Sequence, residues 1–190
     1  DQPQGAPYWA ADPRDAEDAA RSLREAWLLG KDPIPKLAEL LEEHGIKVFS
    51  LEINEIDGLA AKVNRKEYRS GRVIMIKKNA WSERKRFTLA HELGHIVLNP
   101  GPDCNAERAA NRFAGAFLIP ADVLRQEIGT KRRDISIGEL IGLKDRFGVS
   151  IQALTYRCKD LEIISQATFG RLFAIYKKRG WRDAPYEEPN

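Results

Sequence analysis

The chain has 190 residues, of which 43% are hydrophobic and 31% are charged, and its formal net charge is +3. A chain of this length can hold one sizeable core, or one core with a small appendage, and the composition is that of an ordinary globular protein. No apolar run approaches the roughly 20 residues needed to span a bilayer. The charge is too weak to indicate nucleic-acid binding by itself.

The two cysteines, Cys104 and Cys158, are too few for a disulfide framework and are typical of a reducing compartment. No signal peptide is visible at the start of the chain. We therefore expect a cytoplasmic protein that makes no contact with a membrane. The sequence does not predict an oligomeric state.

Residues 1–15 are predicted to be a linker or tail. The chain opens with Asp rather than Met, and the stretch from Asp1 to Pro7 is rich in Pro, Gly and Gln. Such an opening indicates a fragment or a processed product.

Two amphipathic helices and a small sheet are predicted next. The helices span residues 16–29 and 34–44, with Gly45 as the C-cap of the second. Alternation and β-branched residues predict three strands, at residues 46–53, 59–64 and 72–77. We expect these strands to form an antiparallel sheet.

The most informative motif follows the last strand and reads His91-Glu92-Leu93-Gly94-His95. Histidines four residues apart share one face of a helix, so both imidazoles can bind one metal ion. Glu92 can then reach a water on that metal and act as its general base.

The surroundings of the motif favour a metal site. Glu92 is the only formal charge in residues 88–98, whose apolar residues fall on all sides of a helix, so the helix is predicted to be buried. It would begin at an N-cap on Ser82 and end at Asn99-Pro100-Gly101-Pro102. Burying a carboxylate and two imidazoles is costly unless they are paired or bind a metal, which argues against two ordinary core histidines.

Glu107 is predicted to be the third ligand. It lies on a second predicted helix, residues 103–118, and shares a face with four apolar residues, Ala110, Ala114, Phe117 and Leu118. We therefore expect its carboxylate to point toward the core and to complete a site with His91 and His95, since a catalytic zinc takes three protein ligands and keeps one position for water. The alternative is a first-turn glutamate favoured by the helix dipole.

Cys104, three residues before Glu107, is a candidate for a regulatory metal contact. Its thiolate in the fourth position would displace the water and switch the enzyme off. The favoured alternative is a small side chain packed in the first turn of the helix.

The rest of the chain is predicted to be helical, at residues 121–128, 137–147, 151–160 and 165–178. Ser136 with Glu139 forms a capping-box pattern, and Ser150 is a second predicted cap after Gly148. The two helices around residues 147–150 resemble a helix-turn-helix, so DNA binding is an alternative hypothesis. Its phosphate contacts would be two basic runs, Lys131-Arg132-Arg133 and Lys177-Lys178-Arg179. Solvated charges beside packed helices are the simpler interpretation.

Three stretches of the sequence resemble the ImmA/IrrE family of bacterial metallopeptidases. They are residues 86–95, residues 107–120 with the pattern ERAANRFA and a terminal LIP, and the tail at residues 143–154 and 180–182. The resemblance runs from about residue 16 to residue 181 and is specific over residues 86–120. Many relatives carry a second acidic residue two positions after the ligand glutamate, where this chain has Ala109.

The resemblance implies that zinc is the cofactor, with His91, His95 and Glu107 as its ligands and Glu92 as the catalytic acid and base. It also implies a helix-turn-helix repressor domain upstream, which these residues do not contain. The predicted fold is α+β: a small antiparallel sheet packed on the zinc-binding HExxH helix within a metallopeptidase domain over residues 16–120. An all-helical, helix-turn-helix-like part over residues 121–190 follows.

The expected reaction is zinc-dependent amide hydrolysis, with Glu92 moving the proton. We consider Tyr68, Arg112 and Tyr156 as oxyanion donors, Asn111 as a partner that fixes an imidazole, and the strand at residues 72–77 as the edge that holds the substrate. By resemblance, the substrate is a helix-turn-helix repressor or antitoxin, cut at one site in a stress, mobile-element or toxin–antitoxin circuit. The alternatives are a non-cleaving zinc-containing regulator and a DNA-binding transcription factor.

Overall fold

Two compact units make up the chain, Asp1–Leu118 and Ile119–Asn190. A computed structural model describes residues 6–52, 57–63 and 71–181. The boundary between the units falls two residues before the one expected from the sequence. None of the described helices is both long and apolar enough to cross a membrane.

The first unit begins with a short strand in the region predicted to be a linker. Strand β1 (Tyr8–Ala10) runs parallel to a strand at Leu98–Pro100, and the Gly101 amide donates a hydrogen bond of 2.8 Å to the Ala10 carbonyl. A 3-10 turn at Pro13–Asp15 follows. The prediction of a linker is therefore wrong for residues 8–15, while residues 1–5 lie outside the described residues. The two paired strands are some 90 residues apart in sequence, so no local sequence pattern predicts that they pair.

Helices α1 (Ala16–Ala26) and α2 (Leu37–Glu43) are both shorter than predicted. Helix α1 ends because Leu28 and Gly30 adopt positive φ values of 55° and 60°. The connection is held by the buried Arg24 guanidinium, which donates to three carbonyls, those of Gly30, Asp32 and Phe117.

A three-stranded sheet follows, formed by β2 (Ile46–Leu51), β3 (Gly58–Val63) and β4 (Gly71–Lys77) in the order β2-β4-β3. Strands β3 and β4 are antiparallel as predicted, but β2 and β4 are parallel. Along the chain these three strands alternate in direction, so β2 and β4 point the same way and β3 points the opposite way. Because β4 lies between β2 and β3, it is parallel to β2 and antiparallel to β3. The α+β class is confirmed, whereas the sheet is mixed rather than wholly antiparallel.

Strand β4 occupies the centre of this sheet. Its residues Ile74 and Ile76 are 0% and 4% exposed, and both of its edges are paired. The prediction that residues 72–77 form a free edge is therefore wrong. Among the described strands of the sheet, β2 and β3 form the edges.

Helix α3 (Ser82–Val97) carries the HExxH motif and leads directly into β5 (Leu98–Pro100), and helix α4 is Ala106–Leu118. The N-cap position is Trp81, one residue before the predicted Ser82. Helices α3 and α4 approach closely at Gly94, where a Cβ would lie 3.1 Å from the Ala110 Cα. Apolar side chains of α1, α3 and α4 form the core of this unit, including Leu23, Leu93, Phe113 and Phe117.

The second unit is helical, with α5 (Ala121–Ile128), α6 (Ile137–Phe147), α7 (Ile151–Asp160) and α8 (Gln166–Lys178). The predicted capping box is present, since the Ser136 Oγ accepts from the Glu139 amide at 3.2 Å and the Glu139 carboxylate accepts from the Ser136 amide at 2.9 Å. Gly148 ends α6 in the left-handed conformation, and Ser150 caps α7. These local signals explain why the helix bounds agree with the prediction to within one residue.

Candidate metal centre

Helix α3 presents His91 and His95 side by side on one face. Their Nε2 atoms lie 3.0 Å apart, and the rings are nearly perpendicular, with an interplanar angle of 80°. The two side chains are 17% and 28% exposed. The helix is therefore buried on the side of Leu89, Leu93 and Val97 but opens to solvent at the histidines, which leaves them accessible to a ligand.

The first turn of α4 brings Glu107 to the same place. One carboxylate oxygen lies 3.4 Å from the His91 Nε2 and the other lies 3.2 Å from the His95 Nε2. The Glu107 side chain is 70% exposed, so the expectation that it points into the core is wrong. Instead, Glu107 sits at the open end of the apolar face of α4, and the close packing at Gly94 sets its carboxylate beside the imidazoles.

Asn111, one turn after Glu107 on α4, fixes the orientation of His91. Its Oδ1 lies 3.1 Å from the His91 Nδ1. Since an amide oxygen can only accept, this contact selects a proton on Nδ1, and the neutral ring of that tautomer directs the lone pair of Nε2 toward His95 and Glu107. A hydrogen bond to the far ring nitrogen is typical of metal-binding histidines.

The spacing of these atoms fits a small divalent cation. The candidate ligand atoms of His91, His95 and Glu107 all lie within 4.8 Å of one another. A tetrahedral ion with bonds of about 2.0–2.1 Å separates its ligands by roughly 3.3 Å, and the three contacts here are 3.0, 3.2 and 3.4 Å. Two imidazoles and one carboxylate are a donor set that zinc accepts, with one position left over.

Cys104 is not part of this cluster. Its backbone amide donates to the Gly101 carbonyl at 3.0 Å, in the turn that precedes α4. Burial raises the pKa of the Cys104 thiol, and the carboxylates of Asp12 and Asp15 raise it further. The surroundings of this thiol thus favour its protonated form over the thiolate that binds metals.

Glu92 lies beside the cluster but is buried, with 7% of the residue exposed. It faces β3, where the Ala60 amide donates a hydrogen bond to its carboxylate. Burial raises the pKa of Glu92, and the imidazoles of His91 and His95 with the Ala60 amide offset part of that rise. A buried carboxylate whose pKa is raised takes up a proton more readily than an exposed one, as a group that accepts and releases protons must.

The contact with Ala60 was not anticipated from the sequence. Strand β3 contains small residues at Gly58, Ala60 and Ala61, which allow its backbone to approach α3 closely. A glycine-rich or alanine-rich strand is a weak signal for such an approach. In addition, β3, the strand that contacts Glu92, is an edge strand of the sheet. The sequence predicts β4 instead as the edge that holds the substrate.

The structure places the three candidate oxyanion donors in different surroundings. Tyr68 lies outside the described residues. The Nε of Arg112 lies 3.2 Å from a Glu17 carboxylate oxygen, so this guanidinium is engaged in an ion pair. Tyr156 belongs to the second unit, where its ring packs against Phe169 and Phe173.

Comparison with known proteins gives one family. Residues 41–159 match the model of the Peptidase M78 family, described as an IrrE N-terminal-like domain. This match contains the whole of the sheet, α3 and α4, and it reaches into α7. No curated protein matches the chain.

Proposed function

The chain belongs to the Peptidase M78 family, and we propose that it is a zinc-dependent endopeptidase that cuts a helix-turn-helix repressor or antitoxin at one site. Membership of this family supports a metallopeptidase-type function with a metal cofactor and a protein substrate. The observation that carries the finer proposal is the cluster of His91, His95 and Glu107 beside the buried Glu92.

We assign the metal ligands to His91, His95 and Glu107. The Asn111 contact supports this assignment, because it leaves the His91 lone pair directed at the other two side chains. Zinc, when bound there, would lower the pKa of a water and polarise the scissile carbonyl. A purely structural zinc would be expected to have four protein ligands, and the described part of the chain supplies three to the cluster.

Glu92 is assigned the proton transfers. Its carboxylate would accept a proton from the attacking water and then deliver that proton to the leaving amine. The Ala60 amide holds the carboxylate in place, and burial makes the protonated state accessible. Because Glu92 is not a metal ligand in this assignment, replacing it would stop the reaction and leave metal binding intact.

We assign substrate positioning to β3. An extended peptide adds a strand to a free sheet edge and is held there by main-chain hydrogen bonds. Strand β3 is an edge of the described sheet, and its backbone contacts the side chain of Glu92. A peptide paired with this edge would therefore pass close to the proposed proton carrier. The identity of the substrate rests on the family resemblance alone.

The test is to mix purified protein with candidate helix-turn-helix repressors and antitoxins from the same genome and to map products by mass spectrometry. Wild type should bind one zinc per chain and produce one cut. Glu92→Gln should bind zinc equally but lose cleavage by about 100-fold or more. The matched control is Glu42→Gln on α2, an exposed glutamate, which should behave as wild type.

Two outcomes would contradict this proposal. Equal cleavage by Glu92→Gln would remove the assigned mechanism. A wild-type protein that takes up no zinc would remove the metal site.

A further inference from the structure

The second unit contains a concave surface whose lining is strongly cationic. Its volume is about 590 Å³, and it is bounded by residues 131–133, Lys159 and residues 162–166. Four cations line it and Glu162 is the one carboxylate among the lining residues. Arg132 is engaged, since it donates to Glu139 at 2.8 Å and to the Ile128 carbonyl at 3.1 Å.

The other three lining cations differ from Arg132 in this respect. Among the described residues, Lys131, Arg133 and Lys159 form no ion pair with a carboxylate. Like charges gathered around one concavity repel one another, and an anion placed between them relieves that repulsion.

The backbone that carries these charges is held in place. The Arg132 amide donates to the Ile163 carbonyl at 2.7 Å, and Arg132 forms a parallel bridge with Ile164. The Thr168 hydroxyl donates to the Arg133 carbonyl at 2.8 Å, which ties this segment to the first turn of α8. The backbone of Arg132 and Arg133 is therefore held by hydrogen bonds to neighbouring segments and is not a free loop.

The start of α8 at the rim adds a second favourable contribution. Ser165 caps the helix by accepting from the Thr168 amide at 3.1 Å. The amides of Gln166 and Ala167 have no acceptor within the helix, because they belong to its first turn. These amides and the helix dipole favour an anion at this position.

We propose that this concavity binds the phosphate group of a small phosphorylated molecule, held by Lys131, Arg133 and Lys159. Its volume is within the range of small-molecule sites, about 300–1,000 Å³. Duplex DNA would instead require a basic stripe that follows the phosphate backbone over several contacts. Arg and Lys beside helix amides are the groups that proteins use to bind phosphate.

The test is calorimetric titration of the full chain with pyrophosphate and, separately, with adenosine diphosphate at 0.15 M salt. Wild type should bind at least one of the two saturably with a stoichiometry of one. The double variant Arg133→Gln/Lys159→Gln should weaken binding about tenfold or more, the loss expected for one charge-assisted hydrogen bond. The control Lys177→Gln/Lys178→Gln removes the same charge from the exposed end of α8 and should change affinity less than about twofold.

Folding is checked by circular dichroism, and the single variant Lys131→Gln provides a second, milder change with the same expected direction. Three results would overturn the proposal. One is the absence of saturable binding of either probe to wild type. Another is equal weakening by the control variant, which would indicate a general charge effect. The third is tight, steeply salt-dependent binding of a 20-base-pair DNA duplex, with no binding of either small probe. That result would mean that the cations of the concavity form a nucleic-acid-binding surface.

Discussion

Gly58 on β3 lies directly against the side chain of Glu92 on α3. A Cβ at Gly58 would lie 3.1 Å from the Glu92 Oε1, 3.2 Å from its Cγ, and closer still to the Thr88 methyl group. Two strand positions later, the Ala60 amide donates to the same carboxylate. The backbone of β3 therefore packs directly against Glu92, the proposed proton carrier.

We predict that Gly58→Ala lowers kcat by about 100-fold while zinc content stays at the wild-type level. The added methyl group would displace Glu92 or Thr88, and a shift of about 1 Å in a catalytic group is enough for such a loss. The measurement is single-turnover cleavage of the partner protein, with zinc determined by elemental analysis. Gly71→Ala is the matched control, because a Cβ at Gly71 on β4 meets nothing within 4 Å. If both variants cleave equally well, Glu92 is not positioned by β3.

A second prediction concerns Asn111. Asn111→Ala removes the acceptor of the His91 Nδ1 proton and should weaken zinc affinity by about 10- to 100-fold. Asn111→Asp keeps an acceptor oxygen and should keep most of the affinity. Competition with a chelator of known affinity measures both, and the exposed amide Gln126→Ala serves as the unrelated control. Unchanged affinity in Asn111→Ala would mean that His91 is oriented by packing alone.

The part of the site that could be predicted from the sequence is the part that is local. The spacing of His91 and His95 is a property of any helix, and Glu107 with Asn111 repeats the same spacing on α4. Ser136 and Ser150 likewise mark helix starts, because their caps involve residues only three positions away.

The rest depends on contacts between segments distant in sequence. That β4 lies between β2 and β3 follows from strand order, which no local pattern specifies. The run Val73-Ile74-Met75-Ile76 was nevertheless a usable signal, since a continuous apolar strand is typical of a central position. Neither the Ala60 contact to Glu92 nor the exposure of Glu107 could be read from periodicity, because each depends on how closely a neighbouring element approaches.

A third prediction concerns Cys104, proposed from the sequence as a regulatory metal contact. Because its sulfur is absent from the cluster of His91, His95 and Glu107 and its surroundings disfavour the thiolate, Cys104→Ser should leave zinc content and cleavage within about twofold of wild type. The assay is run with and without a mild oxidant. Activation of the serine variant under either condition would show that the thiol masks the metal after all.

The last prediction concerns how the capping box of α6 responds to acid. The Ser136 amide, and after it the Arg132 guanidinium, holds the pKa of Glu139 below its ordinary value of about 4.5. A depressed carboxyl pKa means that the folded state prefers the ionised form, so the stabilisation is complete above about pH 4.5 and is lost as the pH falls through the folded-state value.

Glu139→Gln should therefore lower the free energy of unfolding by about 1 kcal/mol or less at pH 7, the carboxylate being partly exposed. Below the folded-state pKa of Glu139 the difference from wild type should shrink, because the wild-type carboxylate is then protonated too. Urea titrations at the two pH values, followed by helical circular dichroism, measure this change. Asp145→Asn on the same helix is the control, since this exposed aspartate forms no ion pair among the described residues. A Glu139→Gln deficit that is the same at both pH values would mean that the ionised carboxylate contributes nothing to the cap.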